Sequence, residues 1–154
     1  MLYRGVDKKT DAANGGKLLP KGSNVEVVAR YDGRCKANGT IIYGPTQSNT
    51  ARTHQLESGL YGGCGVSTSR SEKIAVNFAT GGGFEDGFVY VIDEAKLASA
   101  NVDAWEFADA AEPYEQEVTL ISPDGKALPQ SILVDKYEVT SEGIVVARGL
   151  LRHP

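Results

Sequence analysis

The chain has 154 residues, a formal net charge of −4 and 18 glycines spread among β-branched runs. That length fits one domain that buries a core without staples, and the glycines with those runs favour a sheet-rich fold with many turns over a helical bundle. The acidic balance offers no field to a phosphate backbone, which excludes nucleic acid as the default partner, and no apolar run approaches the roughly 20 residues of a membrane span. Tyr3 and Arg4 come so early that the fold is expected to begin at once, with no charged-then-apolar leader. Three readings stay open: a cytosolic protein, a protein exported by a leaderless route, or a domain cut from a longer chain.

Leu2-Tyr3-Arg4-Gly5-Val6 reads as a first strand carrying a guanidinium, whose planar fork suits phosphate oxygens. Gly5 behind it would let a ligand approach the backbone. Asp7 to Ser23 is rich in Lys, Asp, Asn and Gly and reads mostly as loop, with room for one helical turn. Asn24 to Ala29 fits a strand or a short helix. Tyr31 to Tyr43 carries Asp32-Gly33 and Asn38-Gly39, the marks of a hairpin or a mobile excursion. Thr50 to Glu57 fits two helical turns ending near Gly59.

Gly62 to Ser69 sets glycines against small hydroxyl residues, ending in Ser67-Thr68-Ser69. Ser69-Arg70-Ser71-Glu72 matches a capping box with Ser69 at the N-cap, and Ile74, Ala75, Phe78 and Ala79 give the next helix an apolar stripe that Gly81-Gly82-Gly83 stops. Phe88 to Asp93 is the clearest strand and belongs near the sheet centre. A helical turn is expected within Ala95 to Ala100. Trp105 and Phe107 follow between acids, and Trp105 is either an exposed recognition residue or core. A strand over Ser131 to Val139 and another over Gly143 to Arg148 complete the chain.

Between them lies Glu115-Gln116-Glu117-Val118-Thr119-Leu120-Ile121, read as one strand. Alternation would put Glu115 and Glu117 on one face, close enough to act on one substrate. Two carboxylates side by side repel, so such a pair sits at an exposed edge or beside a cleft. Cys35 and Cys64 are not a Cys-x-x-Cys pair. They read as two ordinary thiols, although a disulfide between them is conceivable. His54 and Cys64 fall short of the four ligands of a closed metal site, and no metal is expected.

An early strand Arg, a Ser-Thr-Ser before a helix and a late Glu-x-Glu stand here in fixed order. Together with Leu2-Tyr3-Arg4-Gly5, Phe88-Val89-Tyr90-Val91-Ile92 and Glu112-Pro113-Tyr114-Glu115-Gln116-Glu117-Val118, this set resembles the cholera-toxin-like mono-ADP-ribosyltransferases. Leu18-Leu19-Pro20-Lys21-Gly22, Arg30-Tyr31-Asp32-Gly33, His54-Gln55-Leu56-Glu57 and Leu60-Tyr61-Gly62-Gly63-Cys64 are similar to a small neisserial transferase of that group. The resemblance runs from about Leu2 to Glu138.

The resemblance implies an α+β ADP-ribosyltransferase fold, two roughly perpendicular antiparallel sheets around an NAD cleft with few helices, formed by residues 1–154 as a single catalytic domain. NAD would be the substrate, cut between nicotinamide and ribose. Glu117 would hold the ribose 2′-hydroxyl and stabilise the oxocarbenium-like cation. Arg4 would hold the phosphates and ribose, Ser67 would fix Glu117, and Thr68 would brace two strands. Gly5 backbone groups would receive the nicotinamide amide, with Phe78 stacking on the ring. Glu115 at the first position implies arginine as acceptor, oriented bidentately and deprotonated as it attacks. Trp105 and Tyr114 would belong to the acceptor surface. His54 is open between a site-lining and a surface helix residue.

The expected activity is therefore arginine-specific mono-ADP-ribosylation by a bacterial toxin or effector, secreted or delivered without a leader and acting in the cytoplasm. An NAD glycohydrolase and an inactive NAD-binding module are the alternatives. A toxin's producer needs protection, so a cognate immunity protein that plugs the cleft is an expected partner beside NAD and the target arginine.

Overall fold

The computed structural model describes residues 1–28, 34–35, 41–42, 45–58, 62–107, 110 and 112–151. Strand β1 (Leu2–Asp7) runs into helix α1 (Lys8–Ala13), after which come β2 (Val27–Val28), β3 (Arg34–Cys35), β4 (Ile41–Ile42), β5 (Pro45–Thr46) and helix α2 (Gln47–Leu56). Then follow β6 (Val66–Ser69), helix α3 (Glu72–Ala79), β7 (Gly87–Ile92), β8 (Asp103–Trp105), β9 (Glu117–Ile121), β10 (Leu133–Val139) and β11 (Val145–Ala147).

Seven strands form one sheet in the order β11-β10-β7-β1-β6-β9-β8, and β2-β5 and β3-β4 are small antiparallel pairs. The long sheet is two antiparallel halves with a thin join. β1 pairs with β7 over six positions, from Leu2 opposite Ile92 to Asp7 opposite Gly87, whereas β1 meets β6 at Tyr3 opposite Ser69 alone. On the far side of the join, β6 pairs with β9 from Val66 opposite Leu120 to Ser69 opposite Glu117. Pairing between β1 and β6 stops at that one position, which stands in line with Glu117 at the start of β9.

Alternation along β7 explains the packing. Tyr90 and Ile92 enter the main core with Leu2, Val6, Val118 and Leu120, while Val89 enters a second cluster with Ala75, Ala79, Tyr137 and Val139. α3 thus covers the opposite face of the β1-β7-β10 half. A third cluster, Ala51, Cys64 and Ile121 with Trp105 and Phe107 against it, seats α2 on the β8-β9 half.

Three local expectations need correction, and the Trp105 alternative resolves to packing. Asp7 to Ser23 holds a six-residue helix, because the Asp7 carboxylate caps it, accepting from the Thr10 amide and hydroxyl at 2.8 Å each. The N-cap of α3 is Ser71, whose hydroxyl accepts from the Ile74 amide at 3.3 Å. Ser69 is instead the last residue of β6, two residues too early to cap. Trp105 packs partly buried, its indole N–H donating to Gln47 Oε1 at 2.7 Å and its ring stacked on Phe107. The largest change is at Glu115. The strand begins at Glu117, and Pro113–Glu115 is a 3₁₀ turn closed by Gln116 in the left-handed region at φ 49°. Pro113 presets that turn, and period-two alternation therefore does not relate Glu115 to Glu117. The Asn24 to Ala29 alternative resolves to the strand β2, and the β3-β4 pairing gives the excursion antiparallel form. Residues 29–33 and 36–40, and the Cys35 side chain with its pairing, lie outside the described residues.

Candidate active site

Around the thin join at Tyr3 and Ser69 lies a cleft of about 380 Å³, within the range of small-molecule sites. Arg4, Gly5, Ser67, Thr68, Phe78, Glu115, Glu117 and His54 line it, so the structure brings these candidates from six segments of chain to one surface. Trp105 and Tyr114 do not line it. Tyr114 is exposed beside it, its hydroxyl donating to Glu112 Oε2 at 2.6 Å, and Glu112 itself faces the cleft.

Glu117 opens β9 and is the most constrained of the carboxylates. Ser67 Oγ donates to its Oε2 at 3.0 Å and Thr119 Oγ1 donates to the same oxygen at 2.8 Å. Burial raises its pKa, opposed in turn by Thr119, Ser67 and the positive charge of Arg4. Burial lowers the Arg4 guanidinium, and Glu117 pulls it back. The two charges therefore share a desolvated space and support each other's ionised form.

Thr68, one residue on from Ser67, donates from its hydroxyl to the Val118 carbonyl at 2.6 Å, a direct brace between β6 and β9. Gly5 is required for a reason that the sequence did not show. A Cβ there would lie 1.8 Å from the Ala75 carbonyl oxygen, so the close approach is that of α3. Phe78, on the same helix, is 51% exposed at the rim.

Glu115 reaches the cleft from the turn. Its pKa is pushed up to about 7, by burial first, then by a hydrogen bond with Glu112 and by the charges of Glu112 and Glu117. Glu112 is held low by its bonds from Tyr114 and with Glu115. A proton shared in this way leaves Glu115 poised near neutrality for proton transfer. The turn is fastened to β6 by Ser69 Oγ donating to the Glu115 carbonyl at 2.6 Å and by the Arg70 amide donating to the Gln116 carbonyl at 3.2 Å. Those bonds offset the cost, about 1 kcal/mol, of a non-glycine residue in the left-handed region.

His54 lines the cleft wall. It is 5% exposed on α2, with Nε2 at 2.7 Å from Ser67 Oγ. Burial, then the charges of Arg4 and Lys21, lower its pKa to about 4, so the ring is neutral at physiological pH. Sequence reasoning missed Lys21, Gln55 and Thr119. Gln55 Nε2 donates to Thr119 Oγ1 at 3.0 Å, and Lys21 adds a second cation to the cleft wall. Thr119 was legible as the residue two after Glu117; Gln55 and Lys21 carried no local signal.

The model of the NarE family matches residues 1–120 of the chain. A comparison with curated proteins gives no match. Among solved structures, a mutant of heat-labile enterotoxin is 21% identical at a TM-score of 0.52, covering 95% of this chain and 70% of its own. E. coli heat-labile enterotoxin with a mutated buried residue is 24% identical at 0.52, covering 94% of this chain and 71% of its own. A double mutant of heat-labile enterotoxin is 22% identical at 0.50, covering 95% and 59%. These likenesses show the fold.

Proposed function

The chain belongs to the NarE family and has the fold of an ADP-ribosyltransferase, and on that premise we propose that it transfers ADP-ribose from NAD to an arginine of a target protein. The observation that carries this reading is Glu117, fixed through one oxygen by two hydroxyls in a cleft that also presents Arg4 and Glu115.

Nicotinamide leaves NAD as a neutral molecule from a positively charged pyridinium, so the barrier lies in the cationic ribose that forms. A carboxylate already held in place stabilises that charge without reorganising. Glu117 fills this role through its ribose contact, and Arg4 with Lys21 offers cationic groups to the pyrophosphate. Phe78 at the rim provides a face for the nicotinamide ring, and Gly5 backbone the amide contact. Glu115 orients the incoming guanidinium and takes its proton. A planar guanidinium matches a carboxylate bidentately, which is why arginine is the acceptor of choice.

The same reading makes residues 1–154 one catalytic domain of a toxin or effector, delivered to a target cell and acting in its cytoplasm. It also calls for a cognate immunity protein shaped to the cleft.

The test is incubation with labelled NAD and agmatine, wild type beside Glu115→Gln and Glu117→Ala. The expected result is ADP-ribosyl-agmatine from wild type, NAD cleavage without labelling from Glu115→Gln, and neither from Glu117→Ala. Release of free ADP-ribose alone by wild type would make the chain an NAD glycohydrolase, and NAD turnover unchanged in Glu117→Ala would overturn the reading altogether.

A further inference from the structure

We propose that Thr119, backed by Gln55, is a positioning residue for Glu117, forming a second hydrogen-bond relay parallel to the one from His54 through Ser67. The proposal rests on the reading above, in which Glu117 acts on the ribose.

The backbone supplies the placement. Glu117 and Thr119 are two apart on β9 and share a face, and Ser67 on β6 is directly opposite Thr119. Three side chains of one face thus form a triangle, with the carboxylate at one corner and a hydroxyl at each of the others. Both hydroxyls donate to Oε2, and no hydrogen bond among the described residues engages Oε1. The oxygen left over is the one available to a substrate hydroxyl.

The direction of each relay is fixed by what stands behind the hydroxyl. Gln55 Nε2 lies 3.4 Å from the Trp105 carbonyl oxygen, which only accepts, and this orients the amide with its NH₂ toward Thr119. Thr119 Oγ1 accepts from that NH₂ at 3.0 Å, and its own proton goes to Glu117. On the other arm, Ser67 spends its one proton on Glu117, so the neutral His54 ring donates from Nε2. An amide and an imidazole, each through one hydroxyl, polarise toward the same carboxylate oxygen.

Both arms rest on one bare position. A Cβ at Gly65 would come within 2.8 Å of Thr119 Cγ2 and 2.9 Å of His54 Cγ. Thr119 is fully buried, and a buried hydroxyl whose proton and lone pair are both committed has a single orientation to offer. Thr119 would also serve a purely structural end if its contacts ended in the core, but its bond ends on the reacting carboxylate.

The experiment follows the Glu117 carboxyl titration by carbon-13 NMR, alongside kcat and KM for NAD as a function of pH, in wild type, Thr119→Val, Thr119→Ser and Gln55→Leu. Valine keeps the shape and loses the hydroxyl. Thr119→Val is expected to raise the Glu117 titration by about one pH unit and lower kcat about 10- to 100-fold, with KM for NAD changed less than about threefold. Thr119→Ser should restore both, and Gln55→Leu, which leaves the core intact, should fall between. A titration in Thr119→Val identical to wild type, or a shifted titration with unchanged kcat, or equal losses in the serine variant, overturns the proposal. Wild type that splits no NAD would sink the transferase reading alone, while the carboxyl titration would still decide the Thr119 contact.

Discussion

Ser69 Oγ donates to the carbonyl oxygen of Glu115 over 2.6 Å, and this bond holds the turn that carries Glu115 to the end of the strand that carries Ser67. Ser69 itself lines the cleft, and its bond ties that turn to the strand that carries Ser67. Ser69→Ala removes the bond at a cost of about 1 kcal/mol and leaves Glu117 and its two hydroxyls in place. We expect NAD cleavage to persist while the ratio of ADP-ribosyl-agmatine to free ADP-ribose falls several-fold, which product analysis on one chromatogram would measure.

On the proposed function, Glu115 should give transfer a pH dependence of its own. Its pKa of about 7 comes from burial first and from Glu112 next, and only the ionised form accepts a proton from a guanidinium. Transfer to agmatine should rise as pH passes through about 7. Glu112→Gln removes the neighbouring charge, lowers the Glu115 pKa and moves that rise to lower pH. A rate profile that stays put in the variant would contradict the coupling.

His54 links the site to stability. Its folded pKa, lowered to about 4, lies below the value near 6.5 of an unfolded histidine. Stability from keeping the ring neutral is fully present above about pH 6.5 and is lost as pH falls toward about 4. Melting temperatures between pH 7 and pH 4 should fall more steeply in wild type than in His54→Gln. Parallel curves would show that the ring is not held neutral by the fold.

Far from the cleft, Lys136 and Asp11 form a buried pair at 2.8 Å, with the Tyr90 hydroxyl donating to the other Asp11 oxygen. The side chains are 11% and 9% exposed. Removing one partner strands the other charge, so Lys136→Met should cost about 3 to 5 kcal/mol. The double variant with Asp11→Asn should recover part of that loss, and denaturant unfolding would read both. Additive losses would mean the pair is not coupled.

The sequence alone determined what depends on neighbours along the chain. The unbroken apolar run of Phe88 to Ile92 fixed β7, the stripe of Ile74, Ala75 and Phe78 fixed α3, and the order of Arg4, Ser67, Glu115 and Glu117 marked the cleft. What only the tertiary structure decided are contacts between elements distant in sequence. Ser67 meets Glu117 and Thr68 meets the Val118 carbonyl across 50 residues, Gln55 meets Thr119 across 64, and Ser69 meets the Glu115 carbonyl across 46. No local period encodes such pairs, because strand register and the thin join at Tyr3 and Ser69 set them. Glu115 shows the difference most plainly. Alternation would have placed it beside Glu117 on one strand face, whereas a 3₁₀ turn after Pro113 and the left-handed Gln116 deliver it to the same cleft by another route. The residue types announced a site, and the fold chose the geometry by which they share it.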